Sequence, residues 1–229
     1  MRQDKEYEAR SVSEEIVVWG AGSTRTMRVH WMLRELDLDY HCHAIGSRTG
    51  ETDSEAYGRL NPKRKIPVLQ HGGLVLSESA AIVGYLADRF ADPARFHRPA
   101  EVAERARVAE WSYFTMTELD AHTLYVIRRH DGLRHVYGAA PGAVEAARAY
   151  FHKQLGAVAG EARRAAPYLF GPLLSTADIL LMTCLDWARF YDIELPEDWQ
   201  DYQRRVGERP AYLRAFAENY PERSLADAR

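Results

Sequence analysis

The segment that most constrains how this chain can fold is residues 61–69, NPKRKIPVL, together with residues 78–82, ESAAI. Proline has no backbone N–H to donate to a strand ladder, so Pro67 belongs at the start or the edge of a short strand. The Gly72-Gly73 pair predicts a tight turn to a second short strand. A helix is then expected to begin at the acid–serine pair. The segment therefore predicts a β-hairpin that leads directly into a helix.

The same segment has the chemical groups that would bind a small peptide with a free amine and carboxylates. If the Ile66-Pro67 bond is cis, the backbone of Ile66 turns outward and can pair with an extended peptide as an added strand. At the helix N-terminus, free N–H groups and the Ser79 hydroxyl can donate to a carboxylate, while Glu78 can hold an ammonium group. Lys65 can reach a second carboxylate as a point charge, although it would equally suit a solvated basic run. Together these groups predict a glutathione site.

At these residues the chain resembles the glutathione transferase superfamily, and the resemblance extends from about Glu15 to about Ala217. The resemblance implies an α/β thioredoxin-like N-terminal domain that binds glutathione and an all-α C-terminal domain. It also implies a homodimer, with glutathione as the co-substrate and no metal. The proline segment is specific for this fold and less specific for the reaction, because non-catalytic relatives keep much of it.

Hydrophobic periodicity divides the chain in the same way. The predicted order is strand, helix and strand, then a hairpin and a helix, which is the order of a thioredoxin-like domain. After a linker with two prolines, long helical stretches follow and no strand is predicted. The predicted boundaries are an N-terminal extension at residues 1–14, a thioredoxin-like domain at 15–90, a linker at 91–99 and an all-helical domain at 100–229.

Several helices of the second domain can be predicted individually. Residues 175–178, STAD, have the spacing of a capping box, and the helix that follows has apolar residues nearly all round. This helix, at residues 179–191, is therefore expected to be the buried axis of the helical domain and no part of the site. Two other long helices are predicted at residues 101–129 and 143–165.

The reactive centre is expected where the first strand meets the first helix, at residues 20–26, GAGSTRT. This turn is not a dinucleotide fingerprint, because Arg25 occupies the place of the third glycine. In the transferases that this chain resembles, a hydroxyl at this place donates a hydrogen bond to the glutathione sulfur. Ser23 matches the active serine of zeta-class enzymes and Thr24 matches that of theta-class enzymes, so both are candidates. Either residue would also serve as a plain helix N-cap.

The absence of tyrosine and cysteine from this turn narrows the chemistry. It disfavours the tyrosine-dependent alpha, mu and pi classes and the mixed-disulfide chemistry of the beta, omega and lambda classes. The resemblance thus implies a serine-type, theta- or zeta-like bacterial enzyme that stabilises the glutathione thiolate. The second substrate is expected to be a small apolar electrophile, bound between the domains against the long helix after the linker. Trp111 and Tyr113 on that helix are candidate contacts, although aromatic residues at helical spacing are also typical of a core.

Composition excludes several other classes of protein. The net charge is −3 and no basic block stands out, so we expect no nucleic-acid partner and no membrane surface. No apolar run approaches the roughly 20 residues of a membrane span, and the first residues lack the apolar core of a signal peptide. Cys42 and Cys184 have neither zinc nor disulfide spacing, and His41 and His43 lack a third ligand. We therefore expect a metal-free protein of the reducing cytoplasm.

These observations predict a glutathione transferase that conjugates glutathione to an apolar electrophile, with a role in detoxification. An alternative from a different class is a non-catalytic scaffold or regulatory binding protein of the same fold. The joint presence of Ser23, Lys65, Glu78 and Ser79 favours the enzyme, since a scaffold needs no such set. A glutathione-dependent isomerase or dehalogenase would use the same thiolate and is a further alternative.

Overall fold

The structure is a computed structural model, and it describes residues 15–164 and 167–223. The predicted N-terminal extension, residues 1–14, lies outside the described residues. Within the described part of the chain, no helix is both long enough and apolar enough to cross a membrane.

The N-terminal part is a four-stranded mixed sheet with helices, which confirms the predicted fold class. Its elements are β1 Ile16–Trp19, α1 Thr24–Glu35, β2 His41–His43, α2 Glu55–Leu60, β3 Val68–His71, β4 Leu74–Ser77 and α3 Ser79–Phe90. The strand order is β2-β1-β3-β4, with β2 parallel and β3 antiparallel to β1. Trp19 at the end of β1 lies opposite Val68 at the start of β3. This register places the loop after β1 beside the Ile66-Pro67 bond, which is cis.

The C-terminal part is all-helical, as predicted. Its α-helices are α4 Val102–Phe114, α5 Tyr125–Ile127, α6 Arg134–Tyr137, α7 Pro141–Ala157, α8 Ala159–Arg164, α9 Thr176–Arg189, α10 Glu197–Gly207 and α11 Pro210–Asn219. Two π-helical segments, Thr115–Leu124 and Arg128–Gly132, lie on either side of α5. The long helical stretch predicted at 101–129 is therefore present, but it is not a regular α-helix.

The single helix predicted at 143–165 is instead two helices, α7 and α8. The break is at Val158, whose φ of −106° and ψ of 12° lie in the sparsely allowed bridge region rather than the helical one. Gly156 and Gly160 flank this residue, and glycine disfavours a helix interior by about 1 kcal/mol relative to alanine. Periodicity alone did not predict the break because the apolar pattern continues across it.

Helix α9 is the buried axis that the sequence predicts. The Oγ of Ser175 accepts a hydrogen bond from the N–H of Asp178 at 3.2 Å, and the Asp178 carboxylate accepts one from the N–H of Ser175 at 2.8 Å. Every residue from Ala177 to Ala188 is buried. The capping box thus fixes where α9 begins, and its apolar faces allow other helices to pack around it.

Helix α11 packs along α1 and ties the end of the described chain to the N-terminal domain. Trp31 of α1 is fully buried, and its ring meets that of Tyr212 edge to face at 5.1 Å. Arg209, just before α11, donates two hydrogen bonds of 2.6 Å to the carboxylate of Glu35. These contacts join the start of α11 to the end of α1, and Asn219 at the other end of α11 contacts the residue just before α1. The two helices are therefore antiparallel.

Asp186 of α9 is buried and accepts hydrogen bonds from Nε2 of Gln203 at 2.8 Å and from the hydroxyl of Tyr212 at 3.0 Å. Burial raises the pKa of its carboxyl from 3.8 to about 7, although the two hydrogen bonds act in the opposite direction. Because the raised pKa belongs to the folded state, the native protein binds this proton more tightly than the unfolded chain does. The contribution to stability is therefore complete below the unfolded pKa and is lost as the pH rises toward 7.

We expect Asp186→Asn to remove this pH dependence, because the amide has a similar shape and does not ionise. Between pH of about 4 and about 7, the free energy of unfolding of the wild type should fall relative to the variant. The slope should not exceed about 1.4 kcal/mol per pH unit, the limit for one proton. Urea unfolding at several pH values measures this difference, with Asp201→Asn on the exposed face of α10 as the control. Parallel stability curves for wild type and Asp186→Asn would contradict the raised pKa.

Candidate active site

A cleft of about 330 Å³, here called the interdomain cleft, opens between the loop after β1 and the helical stretch from α5 to α6. Ser23, Lys65 and Ile66 line it, so three of the residues predicted from the sequence share one cavity. The other lining residues are Arg25, Ser47, Arg48, Thr52, Asp53, Lys63, Arg64, Tyr125, Arg128 and Tyr137. The N-terminal domain thus forms one wall and the helical domain the other.

Ser23 is the N-cap of α1 and is half-buried on the wall of the interdomain cleft. Its Oγ accepts a hydrogen bond from the N–H of Thr26 at 3.1 Å, and the Oγ1 of Thr26 accepts one from the N–H of Ser23 at 3.0 Å. The single hydroxyl proton of Thr26 has two carbonyl acceptors at 2.7 Å, one of them the main-chain oxygen of Ser23. The Ser23 hydroxyl proton can therefore be donated either to Thr26 or into the cleft.

Asn219, the last residue of α11, holds the turn that contains Ser23. Its Oδ1 accepts hydrogen bonds from the N–H of Gly22 at 3.1 Å and from the hydroxyl of Thr26 at 2.7 Å. Its Nδ2 donates to the main-chain oxygen of Ser23 at 3.1 Å, and its side chain is fully buried. Asn219 could not be identified from the sequence because it lies 196 positions from Ser23 and no local pattern marks it.

Thr24, the alternative to Ser23, does not line the interdomain cleft. It is buried and faces Tyr220 on the side of α1 that packs on the helical domain.

Gly20 lies in the same turn with a φ of 118°, and a Cβ built there would come within 2.6 Å of the Cβ of Ile66. Glycine at this position therefore allows Ile66 to approach the turn closely.

The acid–serine pair lies at the N-terminus of α3, as predicted. Glu78 has a φ of 73°, in the left-handed region that costs a non-glycine residue about 1–3 kcal/mol and is common at functional sites. Its exposed carboxylate pairs with Nζ of Lys63 at 2.6 Å. Ser79 is buried, and its Oγ accepts a hydrogen bond from Nη1 of Arg28 at 3.1 Å. The Ser79 hydroxyl is thereby held in place with its own proton still available to an acceptor.

A buried ion pair lies behind the cleft. Arg28 is fully buried, and its Nη2 donates to Oδ2 of Asp120 at 2.8 Å while its Nε donates to Oγ1 of Thr183 at 2.9 Å. Arg25, which lines the cleft, binds the same carboxylate. Burial would raise the pKa of the Asp120 carboxyl, but the two guanidinium groups outweigh it and hold this pKa below its usual range. Through Ser79 and Thr183, Arg28 thus connects α1 with α3 and α9.

Trp111 and Tyr113 do not line the interdomain cleft. Trp111 packs edge-on against Phe114 and Trp199, with ring centroids 5.7 and 6.3 Å apart, and lines a separate groove of the helical domain. Tyr113 is 71% exposed and lines a groove between α3 and α4. Two residues along an α-helix are about 200° apart, so these side chains point to different sides of α4, and neither side faces Ser23.

The helical wall of the cleft comes instead from Tyr125, Arg128 and Tyr137, further along the same helical stretch. The π-helical segment Thr115–Leu124 lies between α4 and these residues, and a π-helix has more residues per turn than an α-helix. A period of 3.6 residues counted from α4 therefore no longer identifies the side chains that face the cleft. Among the described residues, no group of three or more His, Cys, Asp or Glu side chains is arranged to hold a metal ion.

The sequence of this chain is similar to those of glutathione S-transferases and of a maleylpyruvate isomerase. The family model for "Glutathione S-transferase, N-terminal domain" matches residues 14–88. The rat (Rattus norvegicus) glutathione S-transferase theta-1 is 31% identical over 42% of this chain, and the match spans 41% of the rat protein, so well under two thirds of its length. The maleylpyruvate isomerase of Ralstonia sp is 27% identical over 77% of this chain and 82% of its own length.

Among solved structures, a similar one is the theta class glutathione S-transferase from Xanthomonas axonopodis pv. citri with glutathione bound. It is 30% identical in sequence, with a TM-score of 0.70. The match covers 88% of this chain and 97% of that protein. The similarity therefore extends over most of the chain and includes both domains.

We expect Asn219→Ala to lower the free energy of unfolding by about 2 kcal/mol, because buried polar groups around Ser23 lose their amide partner. Urea unfolding measures the loss. Glu222→Ala, which truncates an exposed side chain just beyond the same helix, is the matched control. Equal unfolding midpoints for the two variants would show that the amide does not hold the turn.

Proposed function

This chain belongs to the glutathione S-transferase superfamily, and we propose that it binds glutathione in the interdomain cleft and ionises the thiol with the Ser23 hydroxyl. The observation that carries the proposal is the position of Ser23. Its hydroxyl is at the N-terminus of α1 and on the same cavity wall as Lys65 and Ile66. The ionised sulfur would then attack an electrophilic carbon of a second substrate.

Thiol activation follows from two features of α1. The thiolate is the nucleophile, and a free thiol has a pKa of roughly 8.5. A hydrogen bond from Ser23 to the sulfur favours the charged form, and so does the positive end of the helix, whose first turn has no acidic residue to oppose it. Ser23 is preferred to Thr24 because Thr24 is buried away from the cleft. No covalent bond between protein and substrate is required.

We assign the remaining predicted residues to the rest of a glutathione molecule, with Glu78 and Ser79 lying outside the residues that line the interdomain cleft. The backbone of Ile66 would pair with the cysteinyl residue, and Lys65 would bind the glycyl carboxylate. At the N-terminus of α3, Ser79 would donate to the glutamyl carboxylate and Glu78 would hold the ammonium group. The ion pair between Glu78 and Lys63 is exposed and contributes little free energy. A ligand ammonium group can therefore replace Lys63 beside the Glu78 carboxylate. The Xanthomonas axonopodis relative, whose structure contains glutathione, supports glutathione as the ligand.

The glutathione thiolate could react in two ways, by conjugation or by isomerisation. In conjugation, a carbon–sulfur bond forms and either a leaving group departs with its bonding electrons or an alkene gains a proton from water. In isomerisation, the thiolate adds to a double bond, the resulting single bond rotates, and the thiolate leaves again. The similarity to the maleylpyruvate isomerase of Ralstonia sp makes isomerisation the second candidate. Conjugation is the first, because the theta-class relatives are named as transferases.

Ser23 would cap α1 in a non-catalytic scaffold as well, so its capping role alone does not distinguish an enzyme from a scaffold. Ser23, Lys65 and Ile66 share one wall of the interdomain cleft, and this arrangement supports an enzyme over a scaffold. Homodimerisation stays a prediction from the family resemblance, and a cytoplasmic location stays a prediction from the composition of the sequence.

We expect Ser23→Ala to lower kcat by about 10- to 100-fold with an activated aryl chloride, because the thiolate loses a charge-assisted hydrogen bond. Glutathione affinity should change little when calorimetry is done at a pH low enough to keep the bound thiol protonated. Steady-state kinetics and calorimetry together separate activation from binding.

Two variants control for the loss of the helix N-cap. Ser23→Thr keeps both the hydroxyl and the cap and should restore most of the turnover. Thr24→Val should retain it, because Thr24 does not line the cleft. Unchanged turnover in Ser23→Ala, or a loss found only in Thr24→Val, would overturn the assignment of Ser23.

A further inference from the structure

The interdomain cleft has more cationic groups than glutathione has carboxylates. Among its described lining residues, the only carboxylate is that of Asp53. The cationic side chains are those of Arg25, Arg48, Lys63, Arg64, Lys65 and Arg128. Glutathione has two carboxylates and one ammonium group, so it leaves part of this positive charge without a partner.

Three of the six cations have partners in the protein. Arg25 binds the carboxylate of Asp120, and Lys63 pairs with Glu78. Arg64 donates to two main-chain oxygens of the loop before α2, at 3.0 and 3.1 Å. The contacts of Arg25 and Arg64 are structural, and Lys63 is paired as long as Glu78 holds no ligand ammonium group. Arg48, Lys65 and Arg128 are left for ligands.

Lys65 is the residue proposed for the glycyl carboxylate, so Arg48 and Arg128 are in excess. Nη2 of Arg48 donates to the hydroxyl of Tyr137 at 2.9 Å, and Nη2 of Arg128 donates to Oγ of Ser47 at 3.2 Å. Within the described part of the chain, neither guanidinium has a carboxylate at ion-pair distance. Arg48 also contacts the hydroxyl of Tyr125. A guanidinium has five N–H donors, so these contacts leave further donors free on both arginines.

The like charges of these two arginines are costly without an anion. Burial lowers the pKa of Arg128, and repulsion from Arg48 and Arg25 lowers it further. Arg48 comes from the N-terminal domain and Arg128 from the helical domain, so two like charges face one cavity from opposite walls. A bound anion would offset this repulsion.

We propose that the second substrate carries a carboxylate, and that Arg48 and Arg128 bind it in the interdomain cleft. Guanidinium groups match carboxylates in shape and charge. The rings of Tyr125 and Tyr137 line the same wall and suit a planar aromatic or unsaturated body. The substrate class is therefore an aromatic or unsaturated carboxylic acid with an electrophilic carbon. The inference rests on the proposed function and restricts its apolar electrophile to one with an anionic group.

The test uses three ligands that do not react: glutathione, S-benzylglutathione and S-(4-carboxybenzyl)glutathione. Calorimetry on the full-length wild type should show that the carboxybenzyl conjugate binds about tenfold or more tightly than the benzyl conjugate, as expected for a charge-assisted contact. In Arg48→Met and in Arg128→Met this ratio should fall toward one, with glutathione affinity unchanged. Arg134→Met removes the same charge from α6 outside the cleft and should keep the ratio.

The results separate failure of the proposed carboxylate site from failure of the proposed glutathione binding. Equal affinity of the two conjugates for the wild type would overturn the inference alone. Loss of affinity for all three ligands in the arginine variants would mean that these residues bind glutathione itself. That result would overturn the inference and leave the proposed function standing. Failure of the wild type to bind glutathione would overturn both.

Discussion

The buried ion pair between Arg28 and Asp120 joins the two domains directly behind the interdomain cleft. Removing one member of such a pair leaves the other charge buried, which typically costs about 3–5 kcal/mol. The pair also has functional neighbours, because Arg28 orients the hydroxyl of Ser79 and Asp120 holds the guanidinium of Arg25 at the cleft. The relative position of the two cleft walls therefore depends in part on an ion pair that is buried from solvent.

A second constraint acts on the other side of α1, where the end of α11 meets the reactive turn. Ser23 is held locally by its capping box with Thr26 and from a distance by the amide of Asn219. These contacts use the acceptor capacity of the hydroxyl and the main-chain groups around it, and they leave the hydroxyl proton available to a ligand. A small polar side chain becomes a specific donor because the surrounding chain fixes where it points.

The parts of this design that are local in sequence could be predicted from it. The hairpin around Gly72-Gly73, the capping box before α9 and the acid–serine start of α3 each follow from a few adjacent residues. Contacts between distant segments could not be predicted, as with Asn219. The aromatic candidates Trp111 and Tyr113 lie on α4, which does not line the cleft. The helical wall comes from residues beyond the π-helical segment, which changes the helical phase. Periodicity assumes one kind of helix and fails where the kind changes.

Ionisation of the glutathione thiol by Ser23 is the central claim, and thiolate absorbance in the ultraviolet measures it directly. A pH titration of glutathione bound to the wild type should show thiolate well below the free-thiol pKa of roughly 8.5. The same titration of Ser23→Ala should move back toward that value, while Ser23→Thr stays with the wild type. A bound thiol that titrates at the free value in the wild type, or identically in wild type and Ser23→Ala, would contradict the claim.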